Sequence, residues 1–545
     1  MTTKTCIAAL ALSAALSPAL AGQGSEFSAE RFKAHVTFLA DDLLEGRETG
    51  ARGHEIAARY VASQFTQLGV KPGARDGSYY LPVALAEVTQ VGTPRLTIRT
   101  PKGTKSLRDG QDAAIGGSSE GGTVTVKADV VFAGFGVSDA ALGIDDYKGL
   151  DVQGKAVLVL GAPLTGIDSE VAAHLYARQG RTAADHGAIA LLTIQTRAAA
   201  KTFPFAQMIR RRGGPGTVLD DPAGASTPAR GTGRIKAGAM ISPAAAPALF
   251  EGAPSTLDAV LDEADKPAAR PAGFALKASI ELTASTAVRR YSSPDVVGVI
   301  EGSDPVLKNE YVALMAHVDH IGIEKAATSG DRINNGALDN AAGVATLFEV
   351  AHAFANAPTR PKRSILLVGN TGEEKGLLGA EWFARHPTVP AERIVAAIDL
   401  DMPLLLYDFT DVVAYGGTHS TLDQAFIAAG KQMGVTLSPD PMPEQTIFVR
   451  SDHYAMAKVG VPAVMLATGM ANGGDKAWAT YLNTQYHHYD DDVNLPIHWN
   501  AGAKFAELNY RAVRILADAP EAPRWYEGDY FGNAFAPKAP KAPRR

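Results

Sequence analysis

Cysteine is almost absent from this chain, which has only Cys6 among its 545 residues. A chain cleaved after Ala21 would contain none, so we expect a protein without disulfide bonds. Charged residues make up only 20% of the sequence and the formal net charge is −6, which argues against a general nucleic-acid binder. Beyond the N-terminus, no apolar run approaches the ~20 residues of a membrane-spanning helix. The composition predicts a globular protein with no nucleic-acid partner and no membrane span.

The first 21 residues have the pattern of a signal peptide. Lys4 precedes an apolar run at residues 7–20, and Ala19-Leu20-Ala21 matches an Ala-x-Ala cleavage site. We therefore predict cleavage after Ala21 and a periplasmic or extracellular protein. Cys6 lies too early in the chain to be a lipoprotein attachment site.

The run Asn370-Thr371-Gly372-Glu373-Glu374-Lys375-Gly376 is the most informative stretch of the sequence. It follows the apolar, strand-like residues 364–368 and precedes a helical pattern that starts near residue 380. Open α/β sheets place their ligand sites at the carboxyl ends of strands. Adjacent glutamates at such an edge can divide the work, one holding a metal ion and the other moving a proton. Alone, the pair would more often be a solvated helix start, so its weight depends on the clusters that accompany it.

Further clusters of potential metal ligands lie where predicted elements end. In chain order they are His317 with Asp319, Asp339, Asp399 with Asp401, and His487 with His488. His317 and Asp319 are two residues apart at a strand end, so they share one face while His320 points away. Two histidines and three carboxylates, each at the end of an element, are what a pair of borderline metal ions needs.

Six motifs of this chain resemble those of one enzyme family and occur in that family's order. They are His317-x-Asp319, Gly336-Ala337-x-Asp339-Asn340-x-x-Gly343, Gly372-Glu373-Glu374-x-Gly376-x-x-Gly379, Leu400-Asp401-Met402, Ser451-Asp452-His453 and His487-x-x-x-Asp491. Over about residues 290–520 the chain is similar to the M28 zinc metallopeptidases, the aminopeptidase group that includes the bacterial leucyl and aminopeptidase S type enzymes.

The resemblance implies a site with two zinc ions and a role for each residue. It assigns one zinc to His317 and Asp401, the other to Glu374 and His487, and a bridging position to Asp339. Glu373 would be the general base, and Asp319 would be the outer acceptor that orients the ring of His317. The family often joins the bridging aspartate to its neighbour by a cis peptide, so Asp339-Asn340 is expected to be cis.

Some of these residues keep a second interpretation. Asp339 could cap the helix that follows it as well as bind metal. His488 could take the place of His487, although the spacing to the following acids favours His487. Asp399 is expected to be a structural or outer acid, because the family commonly has an amide there. Ser451 opens a short helical pattern, so capping is nearly as good an interpretation as a catalytic role.

The fold class expected is α/β, with a mixed central sheet flanked by helices and a β-rich inserted domain. Residues 147–159 and 183–192, within a strand-rich and glycine-punctuated stretch, resemble a protease-associated (PA) domain. The predicted division is a signal peptide (1–21), an N-terminal part of the catalytic domain (28–84), a PA-like insert (85–285), the main catalytic domain (286–525) and a C-terminal tail (526–545) with a disordered end.

The resemblance implies a metallo-exopeptidase, an aminopeptidase that uses a metal-activated water on peptides with a free N-terminus. A glutaminyl cyclase shares the fold but normally lacks ligands of the first metal. A carboxypeptidase or dipeptidase would need arginines poised for a terminal carboxylate, and Arg450 is the only suggestive one. A non-catalytic binding protein would have lost ligands. The sequence leaves open the preferred residue, the physiological substrate, the metal used in vivo, the role of the insert and the oligomeric state.

Overall fold

The structure is a computed structural model that describes residues 27–211, 214–221, 234–324 and 330–544. The predicted signal peptide, its cleavage site and Cys6 lie outside these residues. The strands are β1 Lys71–Pro72, β2 Tyr80–Thr100, β3 Gly103–Leu107, β4 Ala113–Gly116, β5 Gly122–Phe132, β6 Ser138–Asp139, β7 Ile144–Asp145, β8 Ala156–Leu160, β9 Ala190–Ile194, β10 Gly216–Leu219, β11 Ala237–Ile241, β12 Phe274–Ile300, β13 Tyr311–His317, β14 Ser364–Asn370, β15 Ile394–Asp399, β16 Asp411–Tyr415, β17 Thr436–Ser438 and β18 Ala463–Thr468.

The helices surround one large sheet. They are α1 Ala29–Leu39, α2 Arg52–Gln67, α3 Ser169–Ala177, α4 Gln179–Asp185, α5 Arg197–Thr202, α6 Phe205–Arg211, α7 Leu257–Ala264, α8 Ala342–Asn356, α9 Leu378–Arg385, α10 Asp423–Met433, α11 His453–Lys458, α12 Gly474–Thr484, α13 Trp499–Asp518 and α14 Tyr530–Phe535. Short 3₁₀ turns connect several of these elements. The prediction of a mixed central sheet flanked by helices is confirmed.

The centre of the sheet is parallel. β14, β13, β15 and β18 lie side by side in that order, and each neighbouring pair is parallel. Their residues are almost all buried, as expected for strands that are covered by helices on both faces. On one face, α1, α8 and α13 pack together, with Phe32, Phe348 and Phe505 in their shared core. The parallel arrangement brings four carboxyl strand ends to the same edge.

Two long antiparallel strands link this centre to the rest of the sheet. β2 has 21 residues and β12 has 27, and they pair from Tyr80↔Val296 to Arg99↔Ser279 with one irregularity near Ser285. β12 also pairs with β14 on the parallel side and with β5 on the other. β5, β8, β9, β11 and β4 then continue the sheet through the segment expected to be the PA-like insert. The PA-like identity of residues 85–285 stays a prediction.

The C-terminal tail differs from its prediction. Its end was expected to be disordered, yet the structure places the tail up to residue 544 against the catalytic part. Ala542 exchanges backbone hydrogen bonds with Trp525 (2.8 Å) and Glu527 (2.8 Å). The ammonium of Lys541 donates to the carbonyls of Gly532 (2.9 Å) and Ala536 (2.6 Å). The tail is rich in Ala, Pro and Lys and shows no helical or strand periodicity. Its backbone groups are nevertheless paired, through contacts that composition does not reveal.

Candidate dinuclear metal site

The predicted ligands meet at the carboxyl edge of the parallel strands. β13 ends at His317, which lies in register with Asn370 at the end of β14. The turn after β14 carries Glu373 and Glu374, and the segment after β15 carries Asp401. Because neighbouring parallel strands end level with one another, residues far apart in sequence reach one place.

One group of donor atoms is centred on His317. Its Nε2 lies 3.1 Å from Asp401 Oδ1 and 3.3 Å from Asp339 Oδ1. All three residues are buried. These donor atoms lie within 4.8 Å of one another, close enough to hold one ion.

A second group shares Asp339 with the first. His487 Nε2 lies 3.3 Å from Asp339 Oδ2 and 3.1 Å from Glu374 Oε2. Asp339 therefore offers one oxygen to each group. His488 is turned elsewhere, with its Nδ1 3.2 Å from Asp490 Oδ2. Of the two neighbouring histidines, the structure brings His487 into the cluster and leaves His488 outside it.

The ring of His317 is oriented in a way that differs from its prediction. Its Nδ1 donates to the backbone oxygen of Asp319 at 3.0 Å, whereas the Asp319 carboxylate is 4.0 Å away. A carbonyl can only accept, so this bond places a proton on Nδ1 and leaves Nε2 facing Asp339 and Asp401, where its lone pair could bind a metal ion. The Asp319 carboxylate instead accepts from the hydroxyl of Thr49 (2.7 Å) and from the backbone N–H of Glu373 (3.2 Å). It therefore holds the turn that carries the two glutamates.

His320 was expected to point away from the site, and the structure places it inside. Its Nδ1 lies 2.6 Å from Glu374 Oε1 and 4.0 Å from Asp339 Oδ2, and the side chain is fully buried. The expectation assumed strand alternation, but β13 ends at His317, so the alternation does not extend to residue 320. His320 forms a candidate metal-holding group with Asp339 and Glu374. The sequence signal that could have indicated this placement was the presence of a third ionisable residue in the run His317-Val318-Asp319-His320.

Ser451 joins Asp399, the last residue of β15, to Asp401. Its hydroxyl lies 2.7 Å from both Asp399 Oδ2 and Asp401 Oδ2. Asp399 also accepts from the backbone N–H of His453 at 3.2 Å. Asp399 therefore lies outside the ligand group, as expected, and Ser451 orients Asp401. Capping does not explain this motif, because the side chain of Asp452, at the start of α11, makes no capping hydrogen bond.

The turn that carries Asp339 is fixed from several directions. The Asp339–Asn340 peptide is cis, as expected. The side chain of Asn340 accepts from the N–H of Gly343 (3.0 Å), so Asn340 rather than Asp339 supports the start of α8. Asp491 accepts from the N–H groups of Leu338 (3.0 Å) and Asp339 (3.0 Å).

A buried arginine that the sequence did not single out also supports this turn. Arg47 is 1% exposed and donates to the carbonyls of Asn335 (2.6 Å), Gly336 (3.0 Å) and Val318 (2.9 Å). Burial lowers the pKa of Arg47 to about 10, although the charge of Asp339 opposes this. Arg47 lies in the link between α1 and α2, and no sequence pattern indicated this contact.

The electrostatics of the cluster suit cations. Burial lowers the pKa of His487, but hydrogen bonds to Asp339 and Glu374 outweigh burial and raise it to about 10. Burial and Asp339 raise the pKa of Glu374, but His320 and His487 reduce it to about 2. The raised pKa of His487 shows that the carboxylates attract positive charge, and the lowered pKa of Glu374 shows that the histidines stabilise its carboxylate. Imidazole nitrogens with carboxylate oxygens are ligands that zinc accepts, so the residues of these groups fit zinc.

Glu373 is distinct from the ligand groups. It lines a cleft of ≈ 660 Å³ together with Glu374 and His487. Burial raises the pKa of Glu373 well above its usual range, and the nearby acids Glu374 and Asp401 add to this against the charge of His317. A carboxyl with a raised pKa beside a ligand cluster is suited to accepting and returning a proton.

Part of the sequence and the overall fold are similar to those of known peptidases. The sequence model of peptidase family M28 matches residues 295–513. The fold is similar to that of the aminopeptidase from Aneurinibacillus sp. strain AM-1, with 19% identity, 91% of this chain and 95% of that chain covered, and a TM-score of 0.53. A probable zinc metalloprotease of Pyrenophora teres f. teres is 36% identical over 108 residues, which is 20% of this chain and 22% of that protein. A vacuolar membrane protease of Lodderomyces elongisporus is 31% identical over 100 residues, 18% of this chain and 9% of that protein. The matches thus span under a quarter of these curated relatives.

The prediction of a periplasmic or extracellular location is wrong by these comparisons. Four of the curated relatives are named vacuolar membrane protease. An apolar N-terminal run identifies a targeting segment but does not specify the compartment. Within the part of the chain that the structure describes, no helix is long and apolar enough to cross a membrane.

The expected resemblance is confirmed by the family match, by the shared aminopeptidase fold and by the zinc metalloprotease relative. The expectation of a hydrolase of the peptidase class is confirmed with it. The similarity to peptidase family M28 is thus carried by residues 295–513.

Proposed function

We propose that this protein is an aminopeptidase with two zinc ions that hydrolyses N-terminal residues from peptides with a free N-terminus. The observation that carries the proposal is the position of Asp339. Its two oxygens lie 3.3 Å from the Nε2 atoms of two different histidines, His317 and His487. A bridging carboxylate between two imidazoles is the arrangement that a dinuclear centre requires.

Five residues would hold the ions. The proposed groups are His317, Asp339 and Asp401 for one ion, and Asp339, Glu374 and His487 for the other. When bound, the two ions supply a water of lowered pKa and polarise the scissile carbonyl. His320 donates to Glu374 Oε1 and thereby directs the other oxygen, Oε2, toward His487. His320 is therefore proposed as a positioning residue for the second group.

Glu373 is proposed as the general base. Its backbone N–H is held by Asp319, so the side chain is fixed at the mouth of the cleft next to the ligands. It would take the proton of the attacking water and pass it to the departing amine. In the metal-bound protein the cations lower its pKa from the raised value, toward the range in which a base works near neutral pH.

Two alternative functions compete with the proposed aminopeptidase. A glutaminyl cyclase is disfavoured because His317 and Asp401, both ligands of the first ion, are present and lie 3.1 Å apart. A carboxypeptidase or dipeptidase is the second candidate, because Arg450 lines the same cleft as Glu373 and could meet a terminal carboxylate.

The test combines metal content with product analysis. The zinc-loaded protein should contain two ions per chain by mass spectrometry and should release the first residue of a free tripeptide amide. An N-acetylated copy of the same peptide should resist cleavage, and a chelator should remove both activity and metal. Release of the C-terminal residue instead would favour the carboxypeptidase. Absence of any cleavage with two ions bound would contradict the peptidase assignment.

A further inference from the structure

In the cleft that contains Glu373, basic side chains outnumber carboxylates away from the metal ligands. Its volume of ≈ 660 Å³ is large enough for a short peptide. Apart from Glu373 and Glu374, the only carboxylate in its lining is Glu381. The basic side chains of the lining come from four different parts of the chain: Arg178, Arg181, Arg385, Arg450 and Lys458.

Two of these cations lack a counter-charge among the described residues. The guanidinium of Arg178 lies 3.4 Å from His174 Nε2, and that of Arg450 lies 3.3 Å from the carbonyl of Gln445. Neither has a carboxylate within 4.0 Å in the part of the chain that the structure describes. Both are exposed to the cleft. An arginine in this state keeps its donors available for a ligand.

The remaining cations of the lining are paired with carboxylates. Lys458 and Arg385 both pair with Glu381, Arg385 also lies 3.9 Å from Asp221, and Arg181 pairs with Asp185 at 3.0 Å. Burial, together with the charge of Arg178, lowers the pKa of Lys458 to about 8. The neighbourhood of Arg178 thus disfavours additional positive charge and favours an anion.

The two unpaired arginines come from different elements around the cleft. Arg450 is close enough to Tyr486 for its charge to lower the pKa of that hydroxyl, against the effect of burial. The ring of Tyr486 stacks on His487 with 3.9 Å between centroids, so Arg450 lies near the metal ligands. Arg178 lies between α3 and α4 and contacts His174, whose Nδ1 is bonded to the hydroxyl of Tyr454. The segment expected to be the insert therefore supplies one of the two unpaired cations of the cleft.

We propose that this cleft selects short acidic peptides, in which a carboxylate within a few residues of the free amine is bound by Arg450 or Arg178. The carboxylate can come from an Asp or Glu side chain or from the C-terminus of a short peptide. Both sources present the same planar anion, which an arginine binds through two parallel hydrogen bonds. The inference rests on the proposed function, since it places the free amine at the metal ligands.

Three tripeptides that differ by one group separate these sources. They are Ala-Gln-Ala amide, Ala-Glu-Ala amide and Ala-Gln-Ala with a free carboxylate. The zinc-loaded wild-type protein is expected to cleave at least one carboxylate peptide with a kcat/KM about ten- to a hundredfold above that of the neutral amide, mainly through a lower KM. This range is what one charge-assisted hydrogen bond contributes. Equal kcat/KM for all three peptides would overturn the inference.

Variants identify the cations responsible. Arg178→Gln and Arg450→Gln should each reduce the preference for the carboxylate peptides. The reduction should be about tenfold in the variant that removes the arginine bound to the carboxylate. Both variants should cleave the neutral amide within twofold of the wild type. Arg178→Lys keeps the charge and should retain part of any preference that depends on Arg178. Arg99→Gln, on an exposed strand residue paired with Glu281 outside the cleft, is the matched control. An equal loss on all three peptides would show a structural role and contradict the proposal.

Binding distinguishes this inference from the proposed function. Calorimetry with the zinc-loaded Glu373→Gln variant measures affinity for the same peptides without turnover. Selective binding of the carboxylate peptides without hydrolysis by the wild type would support the acidic cleft and reject the aminopeptidase. Hydrolysis without selective binding would keep the aminopeptidase and reject the acidic cleft.

Discussion

The imidazole of His419 should make the stability of this protein depend on alkaline pH. Its Nδ1 lies 2.7 Å from Asp529 Oδ2 in the C-terminal tail, and its Nε2 lies 2.9 Å from Glu170 Oε2 in the segment expected to be the insert. Burial lowers the pKa of His419, but the hydrogen bonds to Asp529 and Glu170 outweigh it and raise the pKa to about 9. One imidazolium thus joins three parts of the chain.

The sign and size of the effect follow from linkage. The pKa of His419 in the unfolded chain is about 6.5, so folding favours the protonated form. Its stabilisation is fully present below pH ~6.5 and is lost as the pH rises through about 9. A difference of about 2.5 pKa units corresponds to at most ~3.4 kcal/mol.

The assay is denaturant unfolding at pH 6.0 and pH 9.5 for the wild type and for His419→Gln. The wild type should lose up to ~3 kcal/mol more between these pH values than the variant, which has no proton to release. His498→Gln, which removes an exposed histidine, is the control and should follow the wild type. Parallel pH dependence of the wild type and His419→Gln would refute the reasoning.

The remaining predictions concern the metal site. Glu373→Gln should keep its zinc, by mass spectrometry, while kcat falls ~10²–10⁴-fold because the general base is lost; near-normal turnover with both ions bound would contradict the mechanism. Glu374→Gln should instead bind about one zinc fewer per chain, and full occupancy would remove it from the ligand set. His320→Ala should weaken zinc affinity at the second group ~10–100-fold in chelator competition, because Glu374 loses its hydrogen-bond donor. His488→Ala is the matched control for that measurement and should leave the affinity unchanged, since His488 faces Asp490.

The sequence was sufficient to indicate the fold class and the residue types of the site. β13 and β14 are apolar runs followed directly by ionisable residues. This pattern involves only residues that are close together in the sequence, so it can be recognised without the structure. Because parallel strands end at one edge, the order of the motifs already implied that His317, Glu374 and Asp401 would meet. The choice between His487 and His488 could be made from the spacing to the following acids in the motif. The structure brings His487, the residue that this spacing favoured, into the cluster.

The orientation of individual side chains could not be predicted in the same way. His320 turns toward Glu374 because the chain leaves the strand after His317, and where a strand stops depends on its partners. Asp319 serves the Glu373 turn and Thr49 rather than the ring of His317, which finds a closer acceptor in the backbone. Such choices are decided by differences of about one ångström between competing partners, which no local pattern encodes.

The sequence by itself thus determined which chemical groups stand at strand ends, because that depends on local hydrophobic pattern and on motif order. Only the tertiary structure decided which distant groups share a space. Arg47 reaches the carbonyl of Gly336, 289 residues away. The tail docks through backbone pairs at Ala542. Arg178 and Arg450 face one cleft although they come from different parts of the chain. These contacts arise from the packing of the whole sheet and its helices, and the free energy of that packing belongs to no single segment.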